Sequence, residues 1–313
     1  MRPSLDTSTS AQAPASGPSD NLGRAVLYML AAAVLLPGIN ACAKHLSGFS
    51  VLQIGWARYA GHFAFMMIVF APANGRTMLS SSAPALQLLR SGLHCASALL
   101  MFFALGTVAL TTATAINFSA PLFVTALAPL MLGERIGWHR VAAVCFGFAG
   151  AMIVVRPGYT DDGLALALLL VSAVMSANIQ ILSRKLAKWD PAVTSNTYMV
   201  MVGFAVLSLP LPFVWRLPTA IVDVLAFLAL GIFGGLGHYF LVSAFEKAPA
   251  TFVSPFNYLQ IIGAGVLGYT IFGQLPDLWT WVGAAIIAGS GIFVLLRERR
   301  AKSQDASGSP AGR

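Results

Sequence analysis

The 313-residue chain is 57% hydrophobic and only 10% charged, with a mean hydropathy of +0.77. That composition excludes a soluble globular domain and describes a polytopic membrane protein. The net charge of +8 does not mark nucleic-acid binding, because the basic residues fall in short gaps between apolar runs and form no single patch.

Residues 1–21, rich in Ser, Ala, Pro and Thr, read as a disordered cytoplasmic tail. Ten apolar segments follow, at about 24–44, 52–72, 84–105, 109–132, 138–155, 163–183, 193–215, 219–244, 250–273 and 278–296. Each has roughly the length of a membrane-crossing helix. The run from Ala25 to Leu36 is read as the first of these spans rather than a signal-peptide core, because many similar runs follow it. The gap at Thr107 and Val108 is short enough to make the third and fourth spans a tight hairpin. Residues 298–313 form a basic cytoplasmic tail. Cys42, Cys95 and Cys145 lie inside apolar runs, without ligand spacing or a disulfide pattern. With the N-terminus inside, fifteen of the 19 Lys and Arg residues fall on the cytoplasmic side, and Lys44, Arg156 and Arg216 fall outside. The positive-inside rule then puts both termini in the cytoplasm.

The fourth segment carries the most information. It enters through small polar residues, Thr111 to Thr114, and continues through Asn117 into Ser119-Ala120-Pro121-Leu122-Phe123. It stops at Leu132-Gly133-Glu134-Arg135. A proline inside a membrane helix is tolerated where neighbours re-satisfy the backbone. In order and spacing these features resemble the fourth helix of EamA-type proteins of the drug/metabolite transporter superfamily. The resemblance implies ten helices around a central cavity and a small-molecule cargo. Related branches export amino acids and metabolites, or import riboflavin or S-adenosylmethionine.

A shift of 140 residues aligns the chain with itself without a gap. It pairs Gly133 with Gly273, Asn117 with Asn257, Thr114 with Ser254, Lys44 with Arg184 and Gly23 with Gly163. Residues 23–157 and 163–297 thus read as two five-helix copies. Five is odd, so the second copy enters the membrane from the opposite side, as in transporters built from inverted repeats. The expected fold is an all-α polytopic membrane protein of ten transmembrane helices, arranged as two inverted five-helix repeats. The second copy departs from the family where a Glu-Pro pair is common: it has Gln260-Ile261, and Gln274 in place of a Glu.

Polar side chains inside the membrane are functional candidates because hydrocarbon penalises them. Arg58 and His62 share one face of the second span. Arg58 contacts an anion in the cavity or, about six residues from the outer end, snorkels to the headgroups. Ser172, Ser176 and Gln180 form a stripe at helical spacing, with Asn40 as the repeat-mate of Gln180; they wall the cavity or bond helices together. His94, and His238 with Tyr239, are read as packing groups with His238 and Tyr239 also kept as cargo contacts. Asn117 and Asn257 are expected to line the cavity from the fourth and ninth spans, one beside Pro121 and the other beside Gly263, Gly265 and Gly268. Gln260 completes the substrate-binding set. Gly231-x-x-x-Gly235 and Ala285-x-x-x-Gly289 are expected to mark close helix contacts. Glu134-Arg135 reads as a helix-stop turn with a surface ion pair, and no carboxylate falls mid-membrane.

The expected activity is small-metabolite transport by alternating access, without catalysis, metal or cofactor. The setting is a bacterial inner membrane, and the chain acts as a monomer or homodimer with no nucleic-acid partner. An uptake permease for a vitamin or nucleoside-like metabolite is the narrower alternative. A membrane enzyme would need catalytic residues clustered at one depth, and none is evident.

Overall fold

A computed structural model describes residues 19–132, 138–155, 162–248 and 250–307. These residues form helices and turns, with no β-strand among them. The helices are α1 (Ser19–His45), α2 (Val51–Val69), α3 (Ala71–Asn74), α4 (Pro84–Leu105), α5 (Leu110–Asn117), α6 (Ala120–Leu132) and α7 (Trp138–Val155). The second half contributes α8 (Gly163–Leu186), α9 (Ala192–Ser208), α10 (Leu211–Val214), α11 (Ile221–Lys247), α12 (Ala250–Val253), α13 (Leu259–Phe272) and α14 (Leu278–Ser307). Among the described residues, five stretches are long and apolar enough to cross a bilayer: Leu22–His45, Pro84–Leu105, Leu110–Leu127, Gly163–Leu186 and Ile221–Phe245. A sixth arises if α2 and the bent stretch Ala71–Leu79, 51° off its axis, count as one span.

Proline decides where several segments break. Pro72 stands at the start of α3, where its missing N–H is harmless, but it cannot continue α2. Pro210 and Pro212 likewise stop α9 at Ser208, short of the expected residue 215. The fourth segment divides at Phe118 and Ser119, because the Pro121 ring cannot bond the Asn117 carbonyl. In the ninth segment the break is at the 3-10 turn Ser254–Tyr258, which begins around Pro255. The expected softening at Gly263, Gly265 and Gly268 does not occur: all three lie within α13. A helix without side-chain bulk still propagates when its backbone bonds are intact, whereas Pro255 removes one. Gly273 closes α13 in the left-handed conformation at φ 65°. Its N–H and that of Gln274 cap the Tyr269 and Gly268 carbonyls. The corresponding Gly133, with Glu134 and Arg135, lies outside the described residues, as do the side chains of His139, Arg140 and Glu246.

The packing is related by a pseudo-twofold. The first helix of the front half, α1, lies on α11 and α13; the first helix of the rear half, α8, lies on α4, α5 and α6. The second helices, α2 and α9, touch each other, and each also crosses the opposite half's third helix. The fifth helices, α7 and α14, pair together. This exchange is what two copies of opposite orientation produce, and it places the front–rear boundary at the centre.

Glycine permits the closest crossings. A Cβ added to Gly231 of α11 would stand 2.5 Å from the Gly61 Cα of α2, so only hydrogen fits on either side. Gly235 likewise lies under Phe65. The expected Ala285-x-x-x-Gly289 contact differs. Gly289 has open space around it, and α7 meets α14 through Gly150 and Gly283. Pro37 inside α1 leaves the Ala33 carbonyl without a helical partner, and Gly263 of α13 sits directly against that oxygen.

The start of α1 marks the near face of the molecule, and the end of α1 marks the far face. The largest apolar cluster fills the far half, joining Ile39, Leu46, Leu105, Leu110, Ile116, Leu169 and Ile261. On the near face, Asp190 ties the α8–α9 turn to α4. It accepts from the Ser81 hydroxyl, from the Ser82 N–H at 2.8 Å and from Gln87 Nε2 at 2.8 Å. Burial would raise its carboxyl, but these three bonds outweigh that and hold it below the ordinary carboxylate range.

Candidate functional site

The two helix breaks face one another. α5 ends at Asn117 and α6 restarts at Ala120, so a negative and a positive helix end meet inside the bundle. The 3-10 turn Ser254–Tyr258 does the same for the rear half. Between them lies a cavity of about 500 Å3, lined by Asn117, Phe118, Ser176, Gln180, His238, Asn257, Tyr258 and Gln260, with apolar side chains including Leu36 and Phe245. This volume lies in the ~300–1,000 Å3 range of small-molecule sites. Among the described residues, no Asp, Glu, Lys or Arg lines it.

The polar groups keep bonding capacity in reserve. Asn117 Oδ1 accepts the Ser176 hydroxyl at 3.3 Å, and its amide nitrogen donates to none of the described residues. Gln260 Nε2 reaches Asn257 Oδ1 at 3.2 Å. The Phe118 and Tyr258 rings stand 5.3 Å apart, tilted by 43°. His238 is anchored through Nδ1 to the Gly234 carbonyl at 2.9 Å, which leaves its other ring nitrogen available.

The cavity opens toward the near face. An adjoining space of about 700 Å3 shares Pro121, Gln180 and Phe245 with it and continues past Ser183, Arg184 and Ala187 at the end of α8. A smaller pocket of about 240 Å3 lies behind His238 and is lined by His62, Tyr239, Phe70 and Asn196. The His62 and His238 rings, 5.2 Å apart, form part of its wall.

The structure therefore gathers Asn117, Gln180, Asn257, Gln260 and His238 on one cavity, and places His62 and Tyr239 on its neighbour. Arg58 and Asn40 line none of these three spaces. Arg58 is buried, with 9% of its surface exposed. Its guanidinium lies 5.4 Å from the Tyr59 ring centre and 5.6 Å from that of Phe102, and its Nε has no hydrogen-bond partner. His94 is satisfied by the Tyr59 hydroxyl at 2.8 Å. The serine stripe divides by depth: Ser172 is bonded to Ser97 between α8 and α4, while Ser176 and Gln180 line the cavity.

Sequence reasoning overlooked Phe118 and Tyr258. The signal was present, since an Asn-aromatic pair occurs at the same place in both copies, Asn117-Phe118 and Asn257-Tyr258.

A cavity between two inverted halves, open to one face and walled by uncharged polar groups, defines a membrane carrier. The model of the EamA-like transporter family matches residues 23–156 and again 163–297. The chain belongs to that family and is a multi-pass membrane transporter of small metabolites. It is 31% identical over 252 residues to the S-adenosylmethionine uptake transporter of Rickettsia felis, covering 77% of this chain and 83% of that protein. It is 27% identical over 284 residues to the riboflavin transporter of Rhizobium johnstonii, covering 90% and 93% respectively. One crystal structure superposes with a TM-score of 0.63 at 19% identity, covering 89% of this chain and 99% of its own; that likeness is one of fold.

Proposed function

We propose that the chain is an alternating-access permease of the bacterial cytoplasmic membrane, with ten spans and both termini in the cytoplasm. Its cargo is a flat nitrogen heterocycle that carries a hydroxylated arm. One observation carries the cargo class: four carboxamides, Asn117, Gln180, Asn257 and Gln260, converge with two aromatic rings on one uncharged cavity. A carboxamide offers two donors and an acceptor, and it pairs in bidentate fashion with the edge of a heterocycle. The aromatic rings supply faces for the cargo to lie against. The names of two relatives agree with this class, because S-adenosylmethionine joins a nitrogen heterocycle to a ribose and riboflavin joins one to a ribityl chain. The distribution of basic residues supports the orientation, and the inverted packing of the two halves supports alternating access. Translocation makes and breaks no covalent bond and requires no cofactor.

The test is uptake into vesicles containing the purified protein, using radiolabelled riboflavin, S-adenosylmethionine and leucine. Saturable uptake of either heterocyclic compound, competed by unlabelled nucleosides, is expected. Uptake of leucine alone would overturn the cargo class and leave the transporter assignment in place.

A further inference from the structure

At the far face one buried cation helps to fasten the bundle, beside the His45–Asp223 pair at 3.0 Å and the two bonds between Gln53 and the Arg216 backbone. The Lys44 ammonium, on the last turn of α1 and 8% exposed, donates to the Leu105 carbonyl at 2.9 Å and to the Val108 carbonyl at 2.8 Å. Leu105 is the final residue of α4, so its carbonyl is among those that a helix end leaves unpaired, at the negative pole of the helix. The same ammonium stands 5.7 Å from the centre of the Phe272 ring at the end of α13. One side chain thus joins the first helix, the hairpin turn and the opposite half of the molecule, beside the packed far-side core.

The 140-residue shift maps each partner onto the near face. Lys44 becomes Arg184, Leu105 becomes Phe245 and Val108 becomes Ala248. Phe245 lies in the last turn of α11, which ends at Lys247, and Ala248 just beyond it; Leu105 is the last residue of α4, and Val108 lies three residues beyond. The parts are present but not joined. Arg184 makes no hydrogen bond to a described residue; it lines the open 700 Å3 space together with Phe245. So the cation is docked where the bundle is shut, and its counterpart is undocked where the bundle is open.

The geometry points to Lys44 and Arg184 as alternating latches of the transport cycle, a role that rests on the alternating-access reading above. With the near face open, Lys44 holds the far face closed on the Leu105 and Val108 carbonyls. When the far face opens, Lys44 releases them and Arg184 docks on the carbonyls of Phe245 and Ala248. Each latch brings a positive charge to carbonyls at or just beyond the C-terminal, negative end of a helix, so either docked state is favourable. The two cannot both be docked while a passage is open.

Two reporters related by the same shift read the two faces: Ala43→Cys at the far face, fully buried here, and Ser183→Cys in the open space. Thr111→Cys serves as a second far-side reporter if Ala43→Cys does not fold. All are placed in a background with the three native cysteines replaced, and their labelling by a charged thiol reagent is timed in lipid nanodiscs. In the parent, Ser183→Cys labels fast and the far-side reporter slowly. Lys44→Met is expected to speed far-side labelling about tenfold and to slow Ser183→Cys, as a population shift requires. Arg184→Met is expected to do the reverse, and Lys44→Arg to restore the parent pattern. If Lys44→Met speeds both reporters, it has only loosened the bundle and the latch assignment fails. If transported cargo exposes the far-side reporter but Lys44→Met does not, alternating access stands and the latch is wrong. If neither cargo nor any variant exposes a far-side reporter, alternating access itself falls.

Discussion

Asn117→Ala separates recognition from packing. Asn117 ends α5 beside the cavity. Within the protein it makes one long bond, 3.3 Å from Ser176, and its amide nitrogen is free to serve a ligand. Losing an interhelical bond of that kind costs about 0.6 kcal/mol, which corresponds to a Tm change of about 1–2 °C. Losing two cargo bonds at about 1 kcal/mol each removes roughly 2 kcal/mol, so Kd rises about 30-fold. Ser172→Ala is the matched control. Ser172 is fully buried and doubly bonded to Ser97, and it lies off the cavity. It should lower Tm by more than Asn117→Ala and leave Kd unchanged. The assay is a fluorescence titration with riboflavin, or a calorimetric one with S-adenosylmethionine, paired with a thermal melt of each variant. An Asn117→Ala protein that melts early yet binds with the parent's affinity would refute the argument, and the amide would then be a packing group.

Three further outcomes follow from the same structure. Gly231→Ala should lower Tm and yield, because its Cβ meets backbone of α2 that cannot move aside; Gly23→Ala, with nothing within 4 Å, should not. Asp190 has its carboxyl held below the ordinary range. Its stabilisation is therefore complete above the unfolded value of about 3.9 and is lost as pH falls through the lowered folded value. Asp190→Asn should thus melt earlier than the parent at neutral pH, and the gap should close below about pH 4; a gap unchanged down to pH 2 would remove Asp190 from the account. Finally, cysteines introduced at Thr7 and Ser309 should resist a membrane-impermeant reagent in whole cells, and labelling of either from outside would overturn the proposed orientation.

Much of the architecture was legible because it rests on patterns that survive without tertiary context. Apolar length, charge asymmetry and the 140-residue shift all act along the chain. Asn117 and Asn257 stood out as amides in apolar runs, and both do line the cavity. Pro255 was missed because the repeat pairs Pro121 with Ile261, which drew attention to the neighbouring glycines instead. Phe118 and Tyr258 were missed because a single aromatic residue in an apolar run is unremarkable, and only their matched places in the two copies mark them. Helical spacing put Ser172 and Ser176 on one face. Only packing shows that α4 covers the first while the cavity begins at the second. The ring contacts of Arg58 likewise come from α4 as well as its own helix.

The glycine crossing of α2 and α11 has no equal on the other side of the molecule. Its counterparts at the α4–α9 crossing are Ser91 for Gly231 and Met201 for Gly61. Ser91 is fully buried there, with a hydroxyl that finds no partner. A molecule with two identical halves would face either side of the membrane with equal energy. Here one seam is locked by backbone contact and the other is filled by side chains, so that degeneracy is lifted. The empty carrier then has a preferred resting orientation, and binding from the disfavoured side is weakened by the fraction of molecules facing that way. Apparent affinity for the same cargo should differ between the two faces, with the maximal rates differing in the same proportion, so the cargo gradient alone still sets the net direction.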